Sequence, residues 1–245
     1  MRTVTEVVAW FSDPAHWMGP NGIPIRLLEH IAISGASLVL ALAIALPVGF
    51  AIGHTGRGAS VAINAANFGR ALPSLAAIAI VYPITVTIDP QWGFYVAPTL
   101  IAMVILAIPP ILVNAYAGIQ SVDRELIEAA RAMGLRERQV LFEIEIPIGL
   151  SVVGGGIRSA AVQIVATATL GAIFGFGGLG RYLVDGVAQN DEGQTFGGVI
   201  LVAGLAIATE LGFGLLERAM TSPGLALRED RSAPATPASG VRGPA

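Results

Sequence analysis

Residues 120–147 read QSVDRELIEAARAMGLRERQVLFEIEIP. Here the chain turns for a long stretch from apolar to charged, and the reading of this stretch decides what surrounds it. Asp123 is placed as an N-cap, with Glu125 in the first turn, where a carboxylate meets the positive end of the helix dipole. Leu126, Ile127, Ala130 and Met133 recur at helical spacing and predict an apolar stripe over residues 124–133. Gly134 suits the left-handed position that ends a helix. A second helix is predicted from about Leu135, with Leu135, Val140, Leu141 and Ile144 as its apolar face. Pro147 then opens the next apolar run. The segment is two short amphipathic helices with a glycine elbow. Such an element between membrane segments is expected to dock on something, either lipid headgroups or a cytoplasmic partner.

The surrounding chain sets that context. It has 245 residues, 54% hydrophobic and 13% charged, with a mean hydropathy of +0.71. Soluble domains carry about 25% charge, so an ordinary soluble domain and a disordered chain are both excluded. An all-α polytopic membrane protein remains. All 14 basic residues are Arg; Lys and Cys are absent. Without Lys the chain supplies no P-loop. Without Cys it has no disulfide, thiolate nucleophile or Cys-ligated metal. His16, His30 and His54 are scattered, with no i, i+4 pair for a metal, so neither metal nor cofactor is expected. The net charge of −3 gives no pull toward nucleic acid.

A membrane helix needs about 20 mainly apolar residues. Stretches between charges give about five transmembrane helices, at residues 31–52, 71–88, 94–116, 148–174 and 196–216. The second is short and carries Pro73 and Pro83. Ten Arg fall on one side of this arrangement, in the 54–70 and 120–147 loops and after Glu217, against Arg2, Arg26 and Arg181 on the other. The positive side is cytoplasmic, which puts the N-terminus out and the C-terminus in. Domain bounds follow: an extracytoplasmic amphipathic segment at 1–26, a transmembrane region at 27–220, and a Pro/Gly/Ala/Ser-rich cytoplasmic tail at 221–245 expected to be disordered. Within the first segment Val4, Val7, Val8 and Phe11 share a helix face, for the outer membrane interface or for packing on neighbouring spans.

At Glu128-Ala129-Ala130, with Gly134 after three residues, Ile144 after nine more and then Pro147, the chain resembles the EAA signature of bacterial ABC importer permeases. The family pattern ends Ile-x-Leu-Pro; here it is Ile144-Glu145-Ile146-Pro147. Arg70-Ala71-Leu72-Pro73-Ser74, Gly156-Ile157-Arg158-Ser159-Ala160 and Ala168-Thr169-Leu170-Gly171-Ala172, running into Phe176-Gly177-Gly178-Leu179-Gly180, look like its glycine betaine/proline/choline branch. Gly19-Pro20-Asn21-Gly22-Ile23-Pro24 and Ala45-Leu46-Pro47-Val48-Gly49 fit the same branch. The resemblance covers about residues 15–217. It implies the ABC type I importer permease fold and a non-enzymatic transport subunit for a compatible solute. It also implies three partners: a separate ATP-binding ABC subunit, an extracytoplasmic solute-binding protein, and a second permease subunit, identical or paralogous. Carried over residue by residue, Glu128, Ala129, Ala130, Gly134, Ile144 and Pro147 would couple this chain to the ATPase. A permease for another small solute such as an amino acid, or a secondary transporter, are the alternatives.

Other polar residues lie inside the apolar spans. Arg158 and Glu210 are ionisable residues at similar depth in the fourth and fifth spans, and are expected to pair or to line a water-filled path. Gln163 and Thr167, four apart, share a face of the fourth span, and Asn114 lies near the end of the third. Each borders the solute path or makes a helix-to-helix hydrogen bond. The run Gly175–Gly180 matches G-x-G-x-x-G by accident, since no βαβ unit surrounds it; a turn or short re-entrant segment is expected there. No cluster of aromatics argues for a cage around a quaternary ammonium group.

Overall fold

The computed structural model describes residues 2–89 and 92–220, and every regular element among them is helical. The tail at 221–245 lies outside the described residues, as does the side chain of Arg70. The chain opens with α1 (Arg2–Ser12) and a short 3₁₀ turn (Pro14–Trp17), then α2 (Ile23–Thr55). Next come α3 (Ala59–Ala71), α4 (Ser74–Ile88), α5 (Trp92–Tyr95) and α6 (Ala97–Gln120). The charged segment forms α7 (Arg124–Ala132) and α8 (Glu137–Gln139). A π-helical turn (Val140–Glu145) leads from it into α9 (Ile146–Ala168). A 3₁₀ stretch (Thr169–Phe174), α10 (Gly180–Gln189) and α11 (Glu192–Met220) complete the described chain.

Four of these helices are long and apolar enough to cross a membrane: Ile23–Thr55, Ala97–Gln120, the continuous run Glu137–Phe174, and Glu192–Ala219. Their direction requires a fifth crossing. Both α2 and α6 finish at the end of the molecule that holds α7, so residues 56–96 must return between them. They do so as two pieces, α3 and α4, both packed on α6. The single helix expected at 71–88 is therefore the second half of a broken crossing. The break has a local cause. A residue before proline is pushed out of the helical region, and Leu72 before Pro73 is extended, with φ −72° and ψ 124°. The helix α2 is 33 residues long, about 50 Å. It outruns both ends of the expected 31–52 span, because bounds set by charge mark the apolar stretch and not the hydrogen-bonded helix.

Packing centres on α6. More than half of its most apolar 18 residues are buried, against none for α11. Small residues let its neighbours come close. A Cβ built on Gly149 of α9 would lie 2.4 Å from the Gly118 carbonyl oxygen of α6, and one on Gly49 of α2 would lie 2.6 Å from Ala115 Cβ. Close approach through small residues is how membrane helices gain contact where lipid supplies no hydrophobic drive. The core between α2, α6 and α9 is accordingly Ala-rich: Ala41, Ala45, Ala107, Ala160 and Ala168, with Met103, Ile111 and Ile164.

At the end away from α7, α1 packs on the bundle through Trp10 and Phe11. Trp10 is buried against Gly197 of α11, stacked on His16 and edge-on to Tyr182. Val4 and Val8 stay exposed, as do Trp17 and Met18. The run Gly175–Gly180 is more tightly held than a free turn. The Gly178 N–H donates to Glu29 Oε2 at 2.8 Å, and the Leu179 N–H donates to His30 Nδ1 at 3.3 Å. The other ring nitrogen of His30 lies 2.9 Å from the Val165 carbonyl, so the ring is a neutral Nε2–H tautomer joining α2, α9 and this loop.

Candidate functional site

The segment 120–147 folds as its local chemistry dictates. Asp123 is extended and its carboxylate accepts from the Glu125 N–H at 3.0 Å, capping α7. At the other end Gly134 has φ +87°. The Leu135 N–H reaches the Ala130 carbonyl at 3.2 Å and the Gly134 N–H reaches that of Arg131 at 2.9 Å. That pair of bonds closes a helix through a left-handed glycine. Nothing lies within 4 Å of where a Gly134 side chain would begin, so the glycine is required by backbone angle alone.

The apolar stripe divides. Ala130 is buried and Ile127 half-buried, whereas Leu126 and Met133 are exposed. The stripe is wider than the strip of chain beneath it, and its edge residues turn outward beside Glu128, Ala129 and Gly134, which are also exposed. The second helix begins at Glu137, two residues later than expected. Ile144 is half-buried within the π-helical turn, and Pro147 is the second residue of α9, continuous with that turn, so the run loses one backbone donor there.

Charge stitches this knuckle together. Arg131 donates from Nε and Nη2 to both carboxylate oxygens of Glu137, at 2.8 and 2.9 Å. Those hydrogen bonds hold the Glu137 carboxyl below the usual carboxylate range and raise Arg131 in return. The pair is exposed and so contributes little to stability. Its contribution is present at neutral pH and lost as pH falls through the depressed Glu137 range. Glu137 also lies 3.2 Å from His54 Nε2, at the end of α2, and His54 Nδ1 lies 2.6 Å from the buried carboxylate of Glu145. A polar cavity of about 460 Å³ separates the end of α2 from α7, lined by His54, Gln120, Arg124, Glu128, Arg131 and Glu145 among others.

The remaining candidates are placed as follows. Arg158 Nε lies 3.5 Å from Glu210 Oε1, and its Nη1 lies 3.4 Å from Glu217 Oε2. Glu210 and Glu217 are seven apart on one face of α11, so one guanidinium serves both. Gln163 Nε2 lies 3.5 Å from the Leu106 carbonyl. Residue 110 is proline and has no N–H, so that carbonyl has lost its own helical donor. Asn114 donates to the Pro110 carbonyl of its own helix at 2.8 Å and packs against Gly156. Thr167 is buried, whereas Gln163 is exposed, so the shared face does not give them a shared environment. An aromatic cluster went unread in the sequence. Tyr82, Phe94, Tyr95 and Phe174 meet at ring-centroid distances of 4.9–5.7 Å, at the end away from α7. Phe94 and Tyr95 are neighbours in α5, but Tyr82 of α4 and Phe174 of the 3₁₀ stretch join them only in the fold, so the expectation of no aromatic cluster is corrected.

The comparisons with known proteins agree with this architecture. Residues 32–222 match the family described as the binding-protein-dependent transport system inner membrane component. The carnitine transport permease protein OpuCB of Listeria monocytogenes is 33% identical over 225 residues, covering 92% of this chain and 97% of that protein. The glycine betaine/carnitine/choline transport system permease protein OpuCB of Bacillus subtilis is 32% identical over 197 residues, covering 80% and 88%. Among solved structures, an inward-facing MetNI methionine ABC transporter matches with a TM-score of 0.73 at 20% identity, over 86% of this chain and 100% of that one. At that identity the likeness speaks to the fold. The chain belongs to the family of binding-protein-dependent transport system inner membrane components, and is a multi-pass membrane permease of an ABC importer.

Proposed function

We propose that this permease imports a quaternary-ammonium compatible solute of the glycine betaine, choline or carnitine type, driven by a separate ATPase that docks on residues 120–147. The observation that carries the coupling is the elbow itself: a capped, charged helix ending in a left-handed glycine, with Glu128, Ala129 and Gly134 exposed on its outer surface. In this reading the α7 end is cytoplasmic, in keeping with its Arg content. Closure of the ATPase moves the knuckle, and the packed α6 and α9 on either side of it carry that motion into the membrane. Glu128, Ala129 and Gly134 meet the ATPase, buried Ala130 and half-buried Ile144 seat the knuckle on its own chain, and exposed Pro147 opens α9 beside it.

Two things support the solute class. Relatives named for carnitine, choline or glycine betaine transport align over most of this chain. The aromatic cluster also presents ring faces at the outer end, and Phe94 and Tyr95 are exposed there. Such faces attract quaternary ammonium groups. A secreted binding protein delivers the solute at that end. A second permease subunit completes the pore. Bacillus subtilis has two proteins named for one glycine betaine/carnitine/choline system, and both align with this chain, which favours a paralogous partner.

The test is uptake in proteoliposomes holding the permease, its ATPase and its binding protein. Labelled glycine betaine, choline or carnitine is expected to accumulate with ATP inside, and each is expected to compete with the others. Accumulation of a primary-amine amino acid, unaffected by excess glycine betaine, would replace this solute class with another.

A further inference from the structure

We propose that His54 is a positioning residue for coupling: it straps the knuckle to the inner end of α2, so that displacement of α7 reaches α2 as well as α6 and α9. The inference rests on the reading of residues 120–147 as the ATPase-coupling segment. Four side chains from four elements form one unbroken line. Arg131 of α7 holds Glu137 of α8 with two hydrogen bonds, Glu137 faces one nitrogen of His54, and Glu145 of the π-helical turn faces the other. The line matters because of where it runs. The polar cavity lies between α7 and the end of α2, so at this level the two elements are spanned by side chains along the cavity edge and not by a packed interface. Gln120, at the end of α6, donates to the Gly53 carbonyl at 2.6 Å and ties α6, not α7, to α2.

Burial shows that the strap is built rather than incidental. The side chain of Glu145 is 3% exposed, and a buried carboxylate is costly without a partner. His54, at 2.6 Å, is that partner. π-Helical turns insert an extra residue into a helix and concentrate at functional sites; this one holds Glu145 at its last position.

The ring geometry sets what the strap requires. A carboxylate only accepts hydrogen bonds, so both contacts are hydrogen bonds together only when both ring nitrogens carry a proton. The charged groups facing His54 are Glu137 and Glu145 directly, with Arg131 behind Glu137, and Arg124 and Glu128 across the cavity.

The experiment measures solute delivered per ATP hydrolysed in proteoliposomes holding the assembled importer. His54→Ala is expected to retain the ATPase and to keep hydrolysing ATP, while delivery per ATP falls at least about fivefold, the low end of ordinary coupling energies. A loss of fold would lower hydrolysis and delivery together, whereas loss of the strap lowers delivery while hydrolysis continues. Because His54→Ala leaves Glu145 buried alone, the double variant His54→Leu with Glu145→Met replaces the pair by apolar groups of similar size, preserving the fold while removing the strap. A third variant, Glu137→Gln, weakens only the exposed joint and should give an intermediate ratio. Unchanged delivery per ATP in the folded double variant overturns the strap. Failure of the unmodified permease to retain the ATPase overturns the coupling reading beneath it instead.

Discussion

The two non-membrane ends of this permease are both built around glycine, and they use it in opposite ways. At the α7 end, Gly134 has a left-handed backbone and open space around it. At the other end, Gly177, Gly178 and Gly180 are surrounded. A Cβ on Gly180 would lie 2.4 Å from the Thr169 carbonyl oxygen, and one on Gly177 would lie 2.2 Å from Glu29 Oε2. The first end is an exposed knuckle held by charged side chains. The second is a loop pressed into the helix bundle and held by its backbone N–H groups donating to the Glu29 and His30 side chains. One end stands clear of the bundle, and the other is pressed into it.

That contrast breaks most severely at Gly180. Gly180→Val sets a branched side chain against backbone, and a cost of about 3 kcal/mol or more is expected. Thermal unfolding in detergent should show a markedly lower midpoint and little monodisperse protein. His30→Ala comes next. It removes a fully buried ring and leaves the Leu179 N–H and Val165 carbonyl without that partner, for about 2–4 kcal/mol. The same melting experiment reads it, and an unchanged midpoint would mean that the loop is not held as described. At the knuckle the pattern reverses. Gly134→Val costs only about 1–2 kcal/mol through its backbone angle, so the protein should insert and purify normally. It should nevertheless lose its ATPase on co-purification and lose uptake. Gly134→Asn should stay near normal in all three assays, because Asn tolerates the left-handed region. If Val and Asn behave alike there, the elbow does not depend on that angle.

The smallest expected effect lies between the two ends. Arg158→Glu should lower stability modestly by setting three carboxylates together on α9 and α11. Adding Glu210→Arg should restore part of the loss, read as melting midpoints of the two single variants and the swap. Glu217 keeps the restoration incomplete, and no restoration at all would leave the pairing without energetic weight.

The difference between the ends also explains what could be read from the sequence. The knuckle is local. Asp123 caps two residues away, Gly134 closes on Ala130 and Arg131, and the charges that mark the segment stand within it. Five crossings were legible as well, because apolar runs between charges are a local signal. The break at Leu72–Pro73 is half legible: the proline stands in the sequence, but that α3 before it shares the crossing with α4 shows only in the packing of both on α6. The outer loop was read as a turn because its partners are 149 residues away in the chain, at Glu29 and His30. Gln163 was ambiguous for the same reason: the carbonyl it faces is free because of Pro110, on another helix. His54 showed only as one of three scattered histidines until folding set it between Glu137 and Glu145.

The absence of cysteine from the chain makes the central claim directly measurable. Ala129→Cys places one thiol on the exposed face of α7, and Val187→Cys places one on the exposed face of α10 at the opposite end. In membranes holding the assembled importer, a short thiol-reactive cross-linker should join the permease to its ATPase from position 129 and not from position 187. An ATPase that cross-links from position 187, or one that remains bound and active yet never cross-links from position 129, would contradict the account.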